Sequence, residues 1–439
     1  MAHSSEDNDV NLLVATKIYL AAQFTKRDLI LYALGIGCGS GGCGSGCFAR
    51  GTHYGDDFEA DHDSDRELRY VYEENLEVFP SFLLALSFVA EREYHQRLDD
   101  GIQSTHTPLT SSIGIRSFPP ESMIYHHEDG TKSGLLPRHL FLGRDIDLQH
   151  AQKLPILHVS QSLILHNEIT LTTNEQHSSI DPPTYLRLET KIVSVEPRNK
   201  GTFVTSETTY HQFGKCIATA QMVALIVGID RNLVVPFKAS PKVSAHTFEL
   251  SGKTMNTRGS ATLVNGINRR ISNEMRTVVR YRIPRNAALL YRLSGDYNPI
   301  HVKAKLLESD IDTPANDCKM KSTRRRPVLH GLCTLGYALR GVLRHIDKPQ
   351  PNNDNTRSQT KLTSFRCSFV KPVFVNDALC VEVWDDVNKN FVRFCVYREL
   401  PQSDNVEKKV ESRVMVLDGT AEFCCMRSGE DFVRSMSRI

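Results

Sequence analysis

Apolar residues recur along this chain with two periods, and each period predicts one kind of element. Alternation at period two, with β-branched residues prominent, marks strands at 162–171, TYLRLETKIVSVE (184–196), TFVTSETTYHQ (202–212) and 216–228. Asn199-Lys200-Gly201 supplies a hairpin turn between the second and third of these. A second set is expected near 277–283, then at 362–371, ALCVEVW (378–384), 391–399 and 412–419. In ALCVEVW, Leu379, Val381 and Val383 alternate with Cys380, Glu382 and Trp384, which predicts one buried face. LRYVYEE (68–74) alternates in the same way and reads as a further strand.

Helical spacing is clearest in PVLHGLCTLGYALRGVLRHI (327–346), where Leu332, Leu335, Leu339, Val342, Leu343 and Ile346 fall on one face. Thr25 and Asp28 form a capping-box-like start to DLILYALGIG, and Pro80 precedes the apolar run SFLLALSFVAERE. FPSFLLALSFVA (79–90) in the first half parallels RPVLHGLCTLGYAL in the second, each an apolar helix followed by strands. The pattern therefore predicts an α+β chain in two like halves, 1–235 and 277–439, joined by a polar linker at 236–276. Polar, Gly- or Pro-punctuated insertions interrupt the first half near 38–66 and 96–150.

Composition narrows the class. With 53 Lys+Arg against 51 Asp+Glu, the net charge of +2 gives no reason to expect nucleic acid as a partner. The longest apolar runs are too short to span a membrane. The N-terminus MAHSSEDNDV has acids where a secretory signal would carry bases, so a secreted protein is not expected. Eleven cysteines, an odd number without paired spacing, suit a reducing compartment. Ser437-Arg438-Ile439 is a conservative variant of the Ser-Lys-Leu address, which predicts a peroxisomal or glycosome-like matrix location read by an import receptor, with the cytoplasm as the alternative. Monomer and homodimer are both open.

The stretch GIGCGSGGCGSGC (35–47) satisfies the G-x-G-x-x-G spelling through Gly37, Gly39 and Gly42, with Asp57 twenty residues after Gly37. A pyrophosphate needs a helix start directly after the glycines, and the acidic run GDDFEADHDSDRE follows instead. Cys38, Cys43 and Cys47, with His53 and His62 nearby, lack the tight pairs of a structural zinc site. The segment reads as an insert, with neither nucleotide nor metal expected.

Chemistry concentrates in Tyr291-Arg-Leu-Ser-Gly-Asp296-Tyr-Asn298-Pro299-Ile-His301. A carboxylate, an amide and an imidazole stand within six residues, and Asn-Pro imposes a turn between them. Such a turn can bring Asp296 and His301 to one water as an acid/base pair. The alternative is that Asp296 caps a turn and His301 is an ordinary satisfied histidine. Further on, His330-Gly331 opens the apolar helix, where the Gly331 N–H is among the unpaired donors that could meet an oxyanion. For His330 alone, a polar residue at a helix start is the competing reading.

YRLSGDYNPIHV (291–302) followed by RPVLHGLCTLGYA (326–338) resembles the signature of the type 2, R-specific enoyl-CoA hydratases, the MaoC-like hot-dog family. That family includes the hydratase 2 domain of peroxisomal multifunctional enzyme type 2. DLILYALGIGC, LRYVYEENLEVFPSF, GTFVTSETTYHQFGKCIATAQMVALIVG and RCSFVKPVFVNDALCVEVW stand in the family's order. The resemblance implies a double hot-dog fold, each half a curled antiparallel sheet around a central helix, with catalysis in the C-terminal half and the acyl chain accommodated by the other. It implies that Asp296 and His301 activate water for addition to a trans-2-enoyl-CoA, that Asn298 supports the site, and that the Gly331 N–H polarises the thioester carbonyl. The implied product is the (3R)-3-hydroxyacyl-CoA of fatty-acid β-oxidation; CoA thioester is substrate, and no cofactor or metal is needed. His330 is expected at the substrate, and Arg324, Arg325 and Arg326 at the CoA phosphates, unless the arginines form only a solvated loop. Two other outcomes stay open: a dehydratase of 3-hydroxyacyl groups on carrier protein, and a non-catalytic acyl-CoA-binding protein. The chain departs from the family in reading His301-Val-Lys-Ala where His-Ile-Asp-Pro is usual, and in the insert DIDTPANDCKMKSTRRR (310–326).

Overall fold

The computed structural model describes residues 18–40, 66–92, 156–172, 181–199, 201–227, 236–238, 276–302, 326–347, 359–385, 390–399 and 413–426. The first half contributes β1 (Ile18–Phe24), β2 (Glu91–Arg92), β3 (Ile156–Leu165), β4 (Thr184–Arg198), β5 (Gly201–Gln212), β6 (Lys215–Val227) and β7 (Phe237–Lys238). The second contributes β8 (Arg276–Arg282), β9 (Gln359–Phe369), β10 (Ala378–Asp385), β11 (Phe391–Glu399) and β12 (Arg413–Met426). The helices among the described residues include α1 (Lys26–Gly35), α2 (Phe82–Val89), α3 (Ala287–Tyr291) and α4 (Gly331–Ile346).

The twelve strands of the described residues join one sheet in the order β2-β1-β4-β5-β6-β3-β9-β12-β11-β10-β8, with β7 added to β4. Every pairing is antiparallel. The two halves meet where β3 pairs with β9, Ser160 opposite Ser368. Arg198 pairs with Gly201 across the expected hairpin, where Gly201 has φ 144°. The Thr25–Asp28 capping box is formed: the Thr25 N–H donates to Asp28 Oδ2 at 2.8 Å.

α4 packs against β8 to β12 and departs from the one-faced helix its spacing predicts. Leu332, Leu335, Leu339, Val342 and Leu343 are buried, but so are Cys333, Gly336, Tyr337, Ala338, Arg340 and Gly341. The helix is enclosed because the end of α1 covers the side that the sheet leaves open. A Cβ on Gly336 would lie 2.4 Å from Ile36 Cγ2, so only glycine admits that approach. Each enclosed Leu or Val contributes about 1.5–3 kcal/mol through burial. Arg340 is accommodated by Glu67, whose carboxylate accepts Nε and Nη2, both at 2.8 Å.

Glu67 also explains the segment LRYVYEE, which is not a strand. Residues 66–68 form a helical turn, and the Tyr70 and Tyr72 N–H groups donate to the Glu67 and Leu68 carbonyls. The expected strand at 162–171 begins earlier and stops at Leu165, after which His166 and Asn167 both donate to the Ile217 carbonyl. In β10 the polar face is buried as well: Cys380 is enclosed, and Glu382 is paired with Arg413 of β12 at 2.7 Å. Within the linker, Phe237 and Lys238 pair with Val195 and Ser194, while 239–275 lie outside the described residues. Of the glycine-rich insert, Cys38 is described as a buried free thiol; Cys43, Cys47, His53, Asp57 and His62 lie outside. Residues 96–150 lie outside too. No helix among the described residues is long and apolar enough to cross a membrane.

Candidate active site

The loop after β8 is built by short-range rules. α3 passes into a 3₁₀ turn at Arg292–Ser294 and ends at Gly295, whose φ of 121° favours glycine. A Cβ there would also meet Val89 Cγ1 of α2 at 2.5 Å, so Gly295 brings the loop against the first half. Asp296 Oδ1 accepts the Asn298 N–H at 3.2 Å, and Asn298 Oδ1 accepts the Ile300 N–H at 3.2 Å. These two successive Asx turns wind the chain into the 3₁₀ turn Pro299–His301. Asn298 thus shapes the loop with both its side chain and its carbonyl, which accepts the His301 N–H.

His301 is oriented from elsewhere. Its Nδ1–H donates to the Val328 carbonyl at 2.9 Å, and the next residue, Leu329, is bonded to Val373. The carbonyl accepts only, so this bond places the His301 lone pair on Nε2. Nε2 faces Asp296 Oδ2 at 3.8 Å, too far for a direct hydrogen bond and close enough for both to reach one water. Burial pushes the Asp296 carboxyl above its ordinary range, against the lowering effect of His301. Burial likewise pushes the His301 imidazole down, against the raising effect of Asp296. Low dielectric disfavours separated charges, so a pair sharing one proton in its uncharged form is favoured.

His330 caps the start of α4, and Gly331 is the first residue of the helix. The His330 Nε2–H donates to the Asp296 carbonyl at 3.1 Å, and its ring stacks on His301 with centroids 3.6 Å apart. At 1% exposure His330 faces protein on all sides, so the structure places it behind the pair. Gly331 is partly exposed, and the Phe369 ring at the end of β9 lies 3.4 Å from where its Cβ would be. His158 of β3 in turn packs its ring 4.6 Å from Phe369. The first half thereby reaches the neighbourhood of Gly331.

The loop and the helix start bring together Asp296, Asn298, His301, His330 and Gly331 from the sequence motif. Arg326 is placed differently: Nη1 donates to Asp377 Oδ1 at 2.6 Å and to the Val375 carbonyl, a fold-supporting role for the one arginine described. Arg324 and Arg325 lie outside the described residues. Sequence reading missed Val328, His158 and Phe369, whose signals are a backbone carbonyl and two residues remote in the chain. It also assigned no role to Tyr291, whose ring lies 4.8 Å from His330 although it opens the motif itself.

Asp296, His301 and His330 offer donor atoms within 4.8 Å of one another, which raises a metal as an alternative occupant. His301 Nδ1 and His330 Nε2 are already spent on carbonyls. The remaining ring lone pairs lie in the planes of two stacked rings only 25° from parallel, and in-plane lone pairs of rings stacked this closely do not meet at one point. That arrangement does not fit a tetrahedral ion.

Comparison with known proteins bears on the C-terminal region and on the fold. A model of the MaoC-like domain matches residues 315–398, a span that contains His330 and Gly331 and begins after His301. The chain is 35% identical over 108 residues, 25% of its length, to "Enoyl-CoA hydratase 2, peroxisomal" of Arabidopsis thaliana, taking in 28% of that protein. It is 27% identical over 248 residues, 56% of its length, to "Peroxisomal multifunctional enzyme type 2" of Drosophila melanogaster, taking in 34% of that protein. The chain therefore spans about a third of these two relatives' length. In fold it is similar to the crystal structure of a MaoC-like dehydratase from Phytophthora capsici, with a TM-score of 0.52, 19% identity, and coverage of 95% of this chain and 98% of that one.

Proposed function

Because its C-terminal region is a MaoC-like domain, we propose that this protein adds water to trans-2-enoyl-CoA thioesters, giving the (3R)-3-hydroxyacyl-CoA. The observation that carries the reading is the Asp296–His301 pair, 3.8 Å apart beside the start of α4, where Gly331 stands. As the water oxygen bonds to C3, its proton passes to His301 Nε2. The C2=C3 electrons move toward the thioester, and the Gly331 N–H stabilises the oxyanion that forms, a contribution of about 3 kcal/mol for a preorganised donor. Asp296 delivers a proton to C2 and is recharged from His301. One water is consumed, and the transfers balance without a metal or redox group.

The reading extends to a double hot-dog fold, to fatty-acid β-oxidation and to a peroxisomal location, supported by the names of the relatives above. If Ser437-Arg438-Ile439 is the protein's own tail, it is the segment an import receptor would bind. Run in reverse, the same site dehydrates 3-hydroxyacyl thioesters, the reaction named in a Mycobacterium tuberculosis relative 31% identical over 137 residues. The test is loss of enoyl-thioester absorbance with crotonyl- and trans-2-decenoyl-CoA, and enantiomer analysis of the product. Asp296→Ala is expected to lower kcat by about a thousandfold. An equally active variant would overturn the mechanism, and tight acyl-CoA binding without turnover would overturn the activity.

A further inference from the structure

We propose that His330 is a positioning residue, which holds Asp296 by its backbone and His301 by its ring and touches no substrate. This deepens the hydratase reading and rests on it. Three observations carry it. The Nε2–H donates to the Asp296 carbonyl at 3.1 Å, which anchors the peptide that bears the carboxylate. The ring stacks on His301, 25° from parallel with centroids 3.6 Å apart, and forms the back wall against which that imidazole rests. The whole residue is 1% exposed, behind the pair and out of reach of a ligand.

Imidazole meets both demands of this position, a flat face and an N–H donor, in one small ring. A phenyl ring would keep the stack and lose the donor; an amide would keep a donor and lose the flat wall. The choice of histidine has a cost, because Nδ1 is buried and has no hydrogen-bond partner among the described residues. A phenylalanine would avoid that cost, so the position is made for the Nε2–H. The anchor also reaches helix α4. His330 is its N-cap, and its carbonyl accepts the Thr334 N–H at 3.1 Å and the Thr334 hydroxyl at 3.3 Å. One residue thus sets the carboxylate, the imidazole and the amide of Gly331 in a common frame, where a displacement of about 1 Å can cost a hundredfold in rate.

The groups that face His330 are Asp296, His301 and Tyr291, with the Arg292 charge also felt. Burial, then His301, hold the His330 imidazole well below its ordinary pKa, so it stays neutral when His301 takes the proton of the water. A neutral face can remain stacked on an imidazolium, whereas a second cation at that spacing would repel it.

The test compares His330→Phe with His330→Gln, whose amide can reach the Asp296 carbonyl. In His330→Phe, kcat is expected to fall by about ten- to a hundredfold with KM for enoyl-CoA within about twofold, and His330→Gln to recover part of the loss. ¹⁵N imidazole NMR reads His301 without turnover: the wild type should show the Nδ1–H tautomer, and His330→Phe should shift the His301 titration. A rise in KM with kcat preserved would overturn the proposal in favour of a substrate contact. Unchanged kcat and an unchanged His301 titration in both variants would also overturn it. If the wild type hydrates no enoyl-CoA, the function reading fails while the NMR arm still decides the positioning role.

Discussion

Replacing Glu67 by glutamine should cost more stability than any exposed ion pair could supply. Glu67 and Arg340 are 5% and 1% exposed, and the carboxylate accepts Arg340 Nε and Nη2 as a fork, both at 2.8 Å. It also accepts the Gly39 N–H at 2.9 Å, and Arg344 Nε stands 3.7 Å away. In Glu67→Gln the amide would keep the shape but turn an NH₂ toward one of these donors. The guanidinium would then keep at most one bond to this side chain, beside the Ile36 carbonyl and the faces of Tyr281 and Tyr337. Breaking a buried pair from one side costs about 3–5 kcal/mol. For a chain of 439 residues that is a fall of about 3–5 °C in Tm. Urea unfolding should show a lower midpoint at unchanged slope. The double variant Glu67→Leu/Arg340→Met removes both charges and should recover much of the loss, though not all. The Gly39 N–H and Ile36 carbonyl would still lack partners, at about 1–3 kcal/mol each. A loss below about 1 kcal/mol in the single variant would refute the reasoning, because it would mean that water already reaches the pair.

Two further perturbations probe the site and its surroundings. Gly331→Ala places its Cβ 3.4 Å from Phe369, an ordinary contact, so the variant should fold with Tm little changed. Its methyl group crowds the approach to the N–H, and kcat/KM for enoyl-CoA should fall by about a hundredfold; full activity would remove Gly331 from the oxyanion role. Burial lowers His158 to about 4, against the raising effects of Gln161 and Ser160. Its folded pKa is depressed, so its contribution is fully present above pH ~6.5 and is lost as pH falls toward 4, where the unfolded chain takes up the proton first. The loss is about 1–3 kcal/mol after allowance for its partial exposure. His158→Phe should flatten stability against pH across that window in thermal melts, and an unaltered slope would count against a neutral His158.

The sequence alone determined whatever depends on neighbours a few residues apart. Asp296, Asn298 and Pro299 wind their own loop through bonds spanning two residues, so the motif and its turn were legible. The capping box at Thr25 and Asp28, the hairpin at Arg198 and Gly201, and the helix beginning at Gly331 are local in the same sense. Alternation located most strands, because a pleated chain shows its faces every second residue. It failed at LRYVYEE, where no strand among the described residues lies alongside and Glu67 holds a turn for the sake of an arginine 273 residues away. It also understated α4, since spacing reports the best apolar face but cannot say that a second surface will cover the other side. Tertiary structure alone decided that Val328 would fix the tautomer of His301, that Arg326 would turn to Asp377, and that His330 would stand behind the pair. These placements join parts of the chain brought together by packing, and a one-dimensional pattern carries no record of which carbonyl a side chain will meet.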